Sequence, residues 1–162
     1  MAMREIHVND VRSTVERMCL DAAYELPADV RDALGAAEHR EVSPVGKRTI
    51  SLLLENAVVA RSDRVPMCQD TGTAVLFAEI GQDVHFIGGS FRDAVNRGVS
   101  TAYTQGFLRP SIVGRPIGTR VNTGDNTPAV LHIDLVAGIG VRLTLLAKGG
   151  GAENMSRMRM LT

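Results

Sequence analysis

The sequence has no tryptophan, and aromatic residues make only 4% of its 162 positions, so its core must be aliphatic. Only two cysteines occur, Cys19 and Cys68, far apart and in different surroundings. That is too few for a disulfide framework, and no signal-peptide pattern precedes them, so a reducing, cytoplasmic setting is expected. Nor can two cysteines alone build an all-cysteine zinc site or a complete iron-sulfur cluster, whose other ligands would come from elsewhere. An excess of either charge is missing too: eighteen basic residues balance eighteen acidic ones. The electrostatic footprint of a nucleic-acid binder is therefore absent. Every apolar run is well short of a bilayer span, so no membrane segment is expected.

What is present suits a soluble globular protein, with 44% hydrophobic and 22% charged residues and enough chain for one domain. Val8, Val11, Val15, Met18, Cys19, Ala22, Ala23 and Leu26 recur at three-four spacing. They predict an amphipathic helix over 8–26, stopped by Pro27, with Cys19 on its apolar stripe and hence in the core. Val30, Ala33, Leu34 and Ala37 predict a second, shorter helix. His39 near its end reads as a surface residue favoured by the helix C-terminus rather than a ligand. Ser43-Pro44 is a good start for a third helix carrying Ile50, Leu53, Leu54, Ala57 and Val58 to about Arg61.

Beyond Arg64 the pattern turns to strands. Thr73–Ile80 is apolar, Gly81-Gln82 reads as a turn, and Asp83–Ile87 is expected to run back beside it. His85 alternates with Val84 and Phe86 and is expected to face away from them, as a solvent-facing or satisfied histidine rather than a catalytic one. Ser90 with Asp93 opens a helix bearing Phe91, Ala94, Val95, Val99, Ala102 and Tyr103. A second hairpin is expected from Ala129–Val136 and Val141–Ala147, with His132 and Asp134 on the face opposite Leu131, Ile133 and Leu135. The expected fold is α+β: an N-terminal helical layer, 1–64, packed on antiparallel hairpins within a mixed part, 65–162, that carries the site.

Chemistry concentrates in three places. In Pro66-Met67-Cys68-Gln69-Asp70-Thr71-Gly72 a thiol, an amide and a carboxylate stand side by side at a helix-to-strand junction, where rigid neighbours can hold a reactive loop. A polar turn around one small buried cysteine is the plainer reading. The irregular stretch 105–120 carries Arg109, Arg115 and Arg120, which could clamp a carboxylate or simply be exposed. After a strand, Lys148-Gly149-Gly150-Gly151-Ala152-Glu153-Asn154 lets backbone N–H groups approach an anion closely. Its lysine precedes the glycines, unlike a P-loop, and a flexible turn is the default. Asp70-Thr71-Gly72 also has the triplet of retropepsin-like proteases, but those need an apolar strand leading into the aspartate, and Cys68-Gln69 follow a polar helix exit.

Three segments taken together carry a resemblance: Met67–Ala74, Asn122-Thr123-Gly124-Asp125-Asn126-Thr127-Pro128-Ala129, and Lys148–Asn154. In that order they resemble the class I, oxygen-sensitive iron-sulfur fumarases, the alpha subunit of the two-subunit type in particular, and L-tartrate dehydratase alpha subunits equally. The resemblance implies a 4Fe-4S cluster held by three cysteines, whose open iron acts as a Lewis acid while water is added to or removed from a carbon-carbon double bond. It makes Cys68 the first cluster ligand and turns Gln69 and Asp70 towards the substrate, with Asp70 a candidate proton shuttle. Arg109 would bind a substrate carboxylate, and the glycines up to Gly151 would line the pocket. A fumarate or malate dicarboxylate, a beta subunit and a homo- or hetero-oligomer are the partners implied. The family's other two cluster cysteines lie past the glycine-rich segment, whereas this chain stops at Thr162. The expectation is therefore of a truncated subunit that holds no stable cluster alone. A non-catalytic assembly or regulatory subunit is the competing reading.

Overall fold

A computed structural model describes residues 3–151 and 155–161. A short strand, β1 (Arg4–His7), leads into α1 (Val8–Tyr24), whose first turn is capped by His7, its Nδ1 accepting from the Asn9 N–H at 3.1 Å. Then come α2 (Ala28–Arg40) and α3 (Pro44–Asp63), the latter capped by Ser43 with Pro44 in its first turn. Next are β2 (Thr73–Gly81), β3 (Val84–Ile87) and α4 (Phe91–Gln105), where Ser90 accepts from the Asp93 N–H at 3.3 Å. Two strands, β4 (Val130–Val136) and β5 (Val141–Lys148), follow. The α+β expectation holds, with helix positions close to those the apolar spacing predicts.

The hairpins do not form. β2 lies between β4 and β5 in one sheet, parallel to β4 and antiparallel to β5. β3 leaves that sheet and pairs in parallel with β1. The turn after β2 explains the divergence: its donors reach the β4–β5 connection, Gly81 to Gly140 O, Gln82 to Val136 O and Asp83 to Gly138 O. The chain is thereby held across the end of the three-stranded sheet and cannot fold back along β2. A central place suits β2 because one face is wholly apolar and buried, with Ala74, Leu76, Ala78 and Ile80, and Val75 is buried on the other.

The expected helical layer needs a second correction. α2 buries none of its residues and α3 only Ala60, so these two helices form an arm beside the body instead of a layer on the sheet. The covering layer is α1 with α4. Val8, Val11, Val15 and Cys19 mesh with Ala94, Val95, Val99 and Ala102, over Ala74 and Leu76 of the sheet. Cys19 sits there as its apolar stripe predicts, and burial pushes its thiol up to about 12.

The two helices approach closely because Gly98 of α4 has no side chain. A Cβ there would stand 2.6 Å from the Arg12 carbonyl oxygen and 2.9 Å from the Val15 Cβ. Gly98→Ala is therefore expected to destabilise the fold by about 2 kcal/mol or more despite its better helix propensity, since packed cores yield little to overpacking. Thermal unfolding would show a Tm lower by roughly 4 °C or more. An unchanged or raised Tm would mean that the helices are free to separate. Among the described residues no helix is long and apolar enough to cross a membrane.

Candidate active site

The junction between α3 and β2 is fixed from both sides. Arg64 takes a left-handed conformation, φ 55°, and ends α3. The Met67 N–H then donates to Ala23 O of α1 at 3.0 Å, while the Asn56 amide donates to Met67 O at 2.9 Å. Cys68 and Gln69 follow, both exposed, and Cys68 carries a free thiol whose sulfur receives the Asp70 N–H at 3.4 Å. The plainer reading of a buried, inert cysteine fits Cys19, and fails for Cys68.

Asp70 is half-buried and does more than face outward. Its Oδ2 accepts from the N–H groups of Gly150 at 2.9 Å and Gly151 at 3.4 Å, and its Oδ1 from that of Gly72 at 3.2 Å. The Gly150 N–H above all holds the carboxyl below its ordinary range; burial opposes this, while the Gly151 and Gly72 N–H groups and the Arg109 charge add to it. One carboxylate thus joins the Cys68 loop to the glycine turn after β5. The sequence suggests that those glycines can present N–H groups to an anion, and the anion they meet is Asp70. Ala152, Glu153 and Asn154 of the same segment lie outside the described residues.

A cavity of about 920 Å³ opens over this junction, lined by Cys68, Gln69, Asp70, Arg109 and the turn Gly149–Gly151. The five residues expected at the site therefore meet at one place, although some eighty positions separate Asp70 from Gly151. Of the three arginines in the irregular stretch only Arg109 reaches the cavity; Arg115 and Arg120 lie in the exposed loop around the Val113–Asn122 bridge. His85 is exposed on β3, and His132 stacks on Phe77 at 4.9 Å on the sheet's outer face, away from the cavity lining. Ser111 and Lys148 line the cavity as well, without a role assigned to them from sequence.

Beneath the cavity lies a buried polar frame that sequence reasoning misses. Thr71 Oγ1 accepts from the Arg109 N–H at 3.0 Å and donates to the Arg109 carbonyl at 3.1 Å. The Tyr103 hydroxyl donates towards the carbonyls of Thr71 and Gly72, at 2.9 and 3.0 Å, and its burial pushes its pKa up. Asn126, fully buried, accepts from the Ser111 N–H at 2.7 Å and donates to Gly72 O at 3.0 Å. By spacing alone Tyr103 reads as one more residue of an apolar stripe. Asn126 reads as turn chemistry, and only its place in a resembling segment hints otherwise.

The loop bearing Asn126 is itself braced by Asp125, whose Oδ1 accepts from the Thr127 N–H at 3.0 Å and hydroxyl at 2.7 Å. Burial pushes the Asp125 carboxyl up, but the donors of Thr127, Ser100 and Thr123 outweigh it and leave it below its ordinary 3.8. A lowered pKa in the folded state stabilises the loop above pH 3.8, and that contribution is lost as pH falls through the folded value. A carboxyl ¹³C titration should therefore place the Asp125 midpoint below 3.8, with Thr127 amide exchange quickening only at still more acid pH. A midpoint above that value would contradict the brace.

Among the described residues no group of three or more His, Cys, Asp or Glu is arranged to hold a metal ion. Residues 12–162 match the family described as fumarate hydratase (Fumerase). A protein of Methanocaldococcus jannaschii, "Putative L(+)-tartrate dehydratase subunit alpha", is 31% identical over 156 residues, covering 93% of this chain and 54% of that protein. The anaerobic class I fumarate hydratase of Escherichia coli is 33% identical over 136 residues, 83% of this chain and 25% of its own length. Fumarate hydratase 2 of Leishmania major is 35% identical over 120 residues, 74% of this chain and 21% of its own. The chain thus spans about half the length of the first relative and about a quarter or less of the others.

Proposed function

Because the chain belongs to the fumarate hydratase (Fumerase) family, we propose that it is the Cys68-bearing part of a hydro-lyase that adds water reversibly to fumarate, giving L-malate. The observation that carries this reading is the convergence of Cys68, Gln69, Asp70, Arg109 and the Gly149–Gly151 turn on one open cavity. The donor set fits one corner of a 4Fe-4S cluster. Cys68 offers an exposed thiol that already receives a backbone N–H, a common companion of metal-bound sulfur. The turn opposite it has no side chains, and among the described residues nothing lies within 4 Å of a Cβ placed on Gly150 or Gly151. Two further thiolates must come from outside these residues, since Cys19 is sealed in the core. When bound, the cluster supplies Lewis acidity that polarises the substrate hydroxyl.

The chain's own groups do the rest. Arg109 offers a planar fork that matches a carboxylate in bidentate fashion. Gln69 presents an amide that can donate to or accept from the substrate and so fix its rotation over the loop. Asp70 is ionised at neutral pH. Each carboxylate oxygen can accept two hydrogen bonds; from the described residues Oδ2 takes two and Oδ1 one, and to Oδ1 we assign the proton exchange with the substrate. Gly151, whose N–H is turned to Asp70 Oδ2, lines the cavity through its bare backbone.

A second substrate is favoured by one observation: the relative that covers 93% of this chain is named for L(+)-tartrate. Both substrates are hydroxy dicarboxylates or their dehydration products, and the same groups would hold either. A partner subunit is supported by the aliphatic side chains left exposed on α3, among them Leu52, Leu53 and Val58, and by Phe77 and Leu146 on the sheet's outer face. The cytoplasm is the compartment we assign, on the two free cysteines. Anaerobically prepared complete enzyme, assayed on fumarate, L-malate and L-tartrate, tests the reading. Reversible turnover of fumarate is the expected result. Turnover of L-tartrate alone would transfer the assignment to the second substrate, and cluster-loaded enzyme that acts on none of them would overturn it.

A further inference from the structure

We infer that Asn126 is a positioning residue, setting the distance between the carboxylate-binding Arg109 and the Cys68–Asp70 loop. The inference rests on the dicarboxylate reading above for its consequence, but its geometry is independent of it. Arg109 is exposed and sits in an irregular stretch, so nothing in regular structure fixes it. Two contacts do. On one side Thr71 grips both backbone groups of Arg109. On the other, Asn126 holds the Ser111 N–H with its carbonyl and Gly72 O with its amide, at 2.7 and 3.0 Å. A single planar side chain thereby spans the gap between the segment after Arg109 and the segment after Asp70.

Two demands meet at this position. Its backbone is left-handed, φ 61°, which asparagine tolerates better than most residues. Its side chain is wholly enclosed, so both ends must be matched, because an unsatisfied buried polar group is costly. Aspartate has the shape but would set an oxygen against Gly72 O. Glycine accepts the backbone angle and removes the bridge. Asn126→Gly therefore isolates the side chain's contribution from backbone strain, and Asn126→Asp removes the amide donors, to Gly72 O and to the Tyr103 hydroxyl, while keeping the Ser111 bond.

The test uses the complete enzyme, with Asn126→Gly, Asn126→Asp, Arg109→Ala and the double variants. Backbone amide exchange is read first. Asn126→Gly is expected to quicken exchange at Arg109, Ser111 and Gly72 while sparing the α1–α4 core. Unchanged exchange at those three amides would overturn the inference, whatever the enzyme proves to catalyse. Steady-state kinetics is read second, with iron and sulfide content as a control. Asn126→Gly should raise KM for the dicarboxylate roughly tenfold, the loss of about one hydrogen bond's worth of alignment, with cluster content unchanged. Arg109→Ala should raise it by roughly 10²-fold, and adding Asn126→Gly to that variant should change it by less than about twofold. A purely structural residue would lower Tm and leave KM alone, or give effects that simply multiply, and either outcome would overturn the positioning role. If Arg109→Ala leaves KM unchanged while the amides respond as expected, the substrate reading fails and the bridge stands.

Discussion

Cys68→Ala in the complete enzyme is expected to abolish the cluster and reduce hydration by more than roughly 10²-fold, because even outer-shell partners of a metal site are worth 10–100-fold. Cys19→Ala should leave cluster content and turnover intact. The two thiols differ in surroundings, not in chemistry. Cys68 is exposed on a loop at the mouth of a cavity, whereas Cys19 is 3% exposed among Val15, Val99 and Tyr103. Removing the Cys19 sulfur leaves a small void, which costs about 1 kcal/mol and lowers Tm by roughly 2–4 °C. The variants thus differ in kind: one loses the cluster and with it activity, the other keeps both and loses a little packing stability. Equal loss of cluster in both would show that the loop cysteine is not special.

Gly72→Ala is expected to be strongly destabilising, because it sets a left-handed alanine against another strand's backbone. Gly72 has φ 72°, and a Cβ there would stand 2.5 Å from the Lys148 carbonyl carbon, 2.6 Å from its oxygen and 2.8 Å from the Gly149 nitrogen. The end of β5 and the loop carrying Cys68 touch backbone to backbone at this point. A left-handed alanine costs on the order of 1 kcal/mol on its own. Separating the two backbones adds to it, for a total of about 3 kcal/mol or more and a Tm lower by roughly 6–12 °C. The same movement would pull Asp70 from the Gly150 and Gly151 N–H groups and widen the site. Gly124→Ala is the control: its φ is 81°, yet nothing lies within 4 Å of the added Cβ. It should show only the conformational cost. Similar Tm losses for the two would mean that the contact between Gly72 and Lys148 has little weight.

Helices are legible in the sequence because their signals are local. Apolar spacing and the caps at Ser43 and Ser90 lie within a turn or two of what they control. Strand pairing is not legible, since a strand's partner is set by distant residues. β1 is four residues long and merges into the first helix's pattern, which leaves β2 as the natural neighbour of β3 on sequence alone. The Gly138–Gly140 loop, whose carbonyls take the donors after β2, reads as an ordinary hairpin turn. The α2–α3 arm is misplaced for a related reason: apolar spacing on α3 marks a face to be covered without saying by what.

At the site, the reactive loop can be picked out because thiol, amide and carboxylate crowd into consecutive positions. Arg109 can be picked out from Arg115 and Arg120 only through resemblance. What stays hidden is the frame. Thr71, Tyr103 and Asn126 act through backbone groups 38, 32 and 54 positions away along the chain. No local pattern announces such a bond. Asp70 lies in the loop that the sequence singles out, but its service to the Gly150 and Gly151 N–H groups depends on β5 ending beside it, which follows from the sheet order.

The measurement that tests the account most directly is the alkylation of Cys68 in the complete enzyme, followed by peptide mass mapping. With the cluster loaded under anaerobic conditions, Cys68 should resist iodoacetamide; after the cluster is stripped by oxidation and chelation, it should be labelled quickly, as an exposed loop thiol must be. Cys19 should stay unlabelled in both states, being buried with its thiol pushed up to about 12. Equal, rapid labelling of Cys68 in cluster-loaded and stripped enzyme would contradict its place as a ligand, and with it the reading of this cavity as the active site of a hydro-lyase.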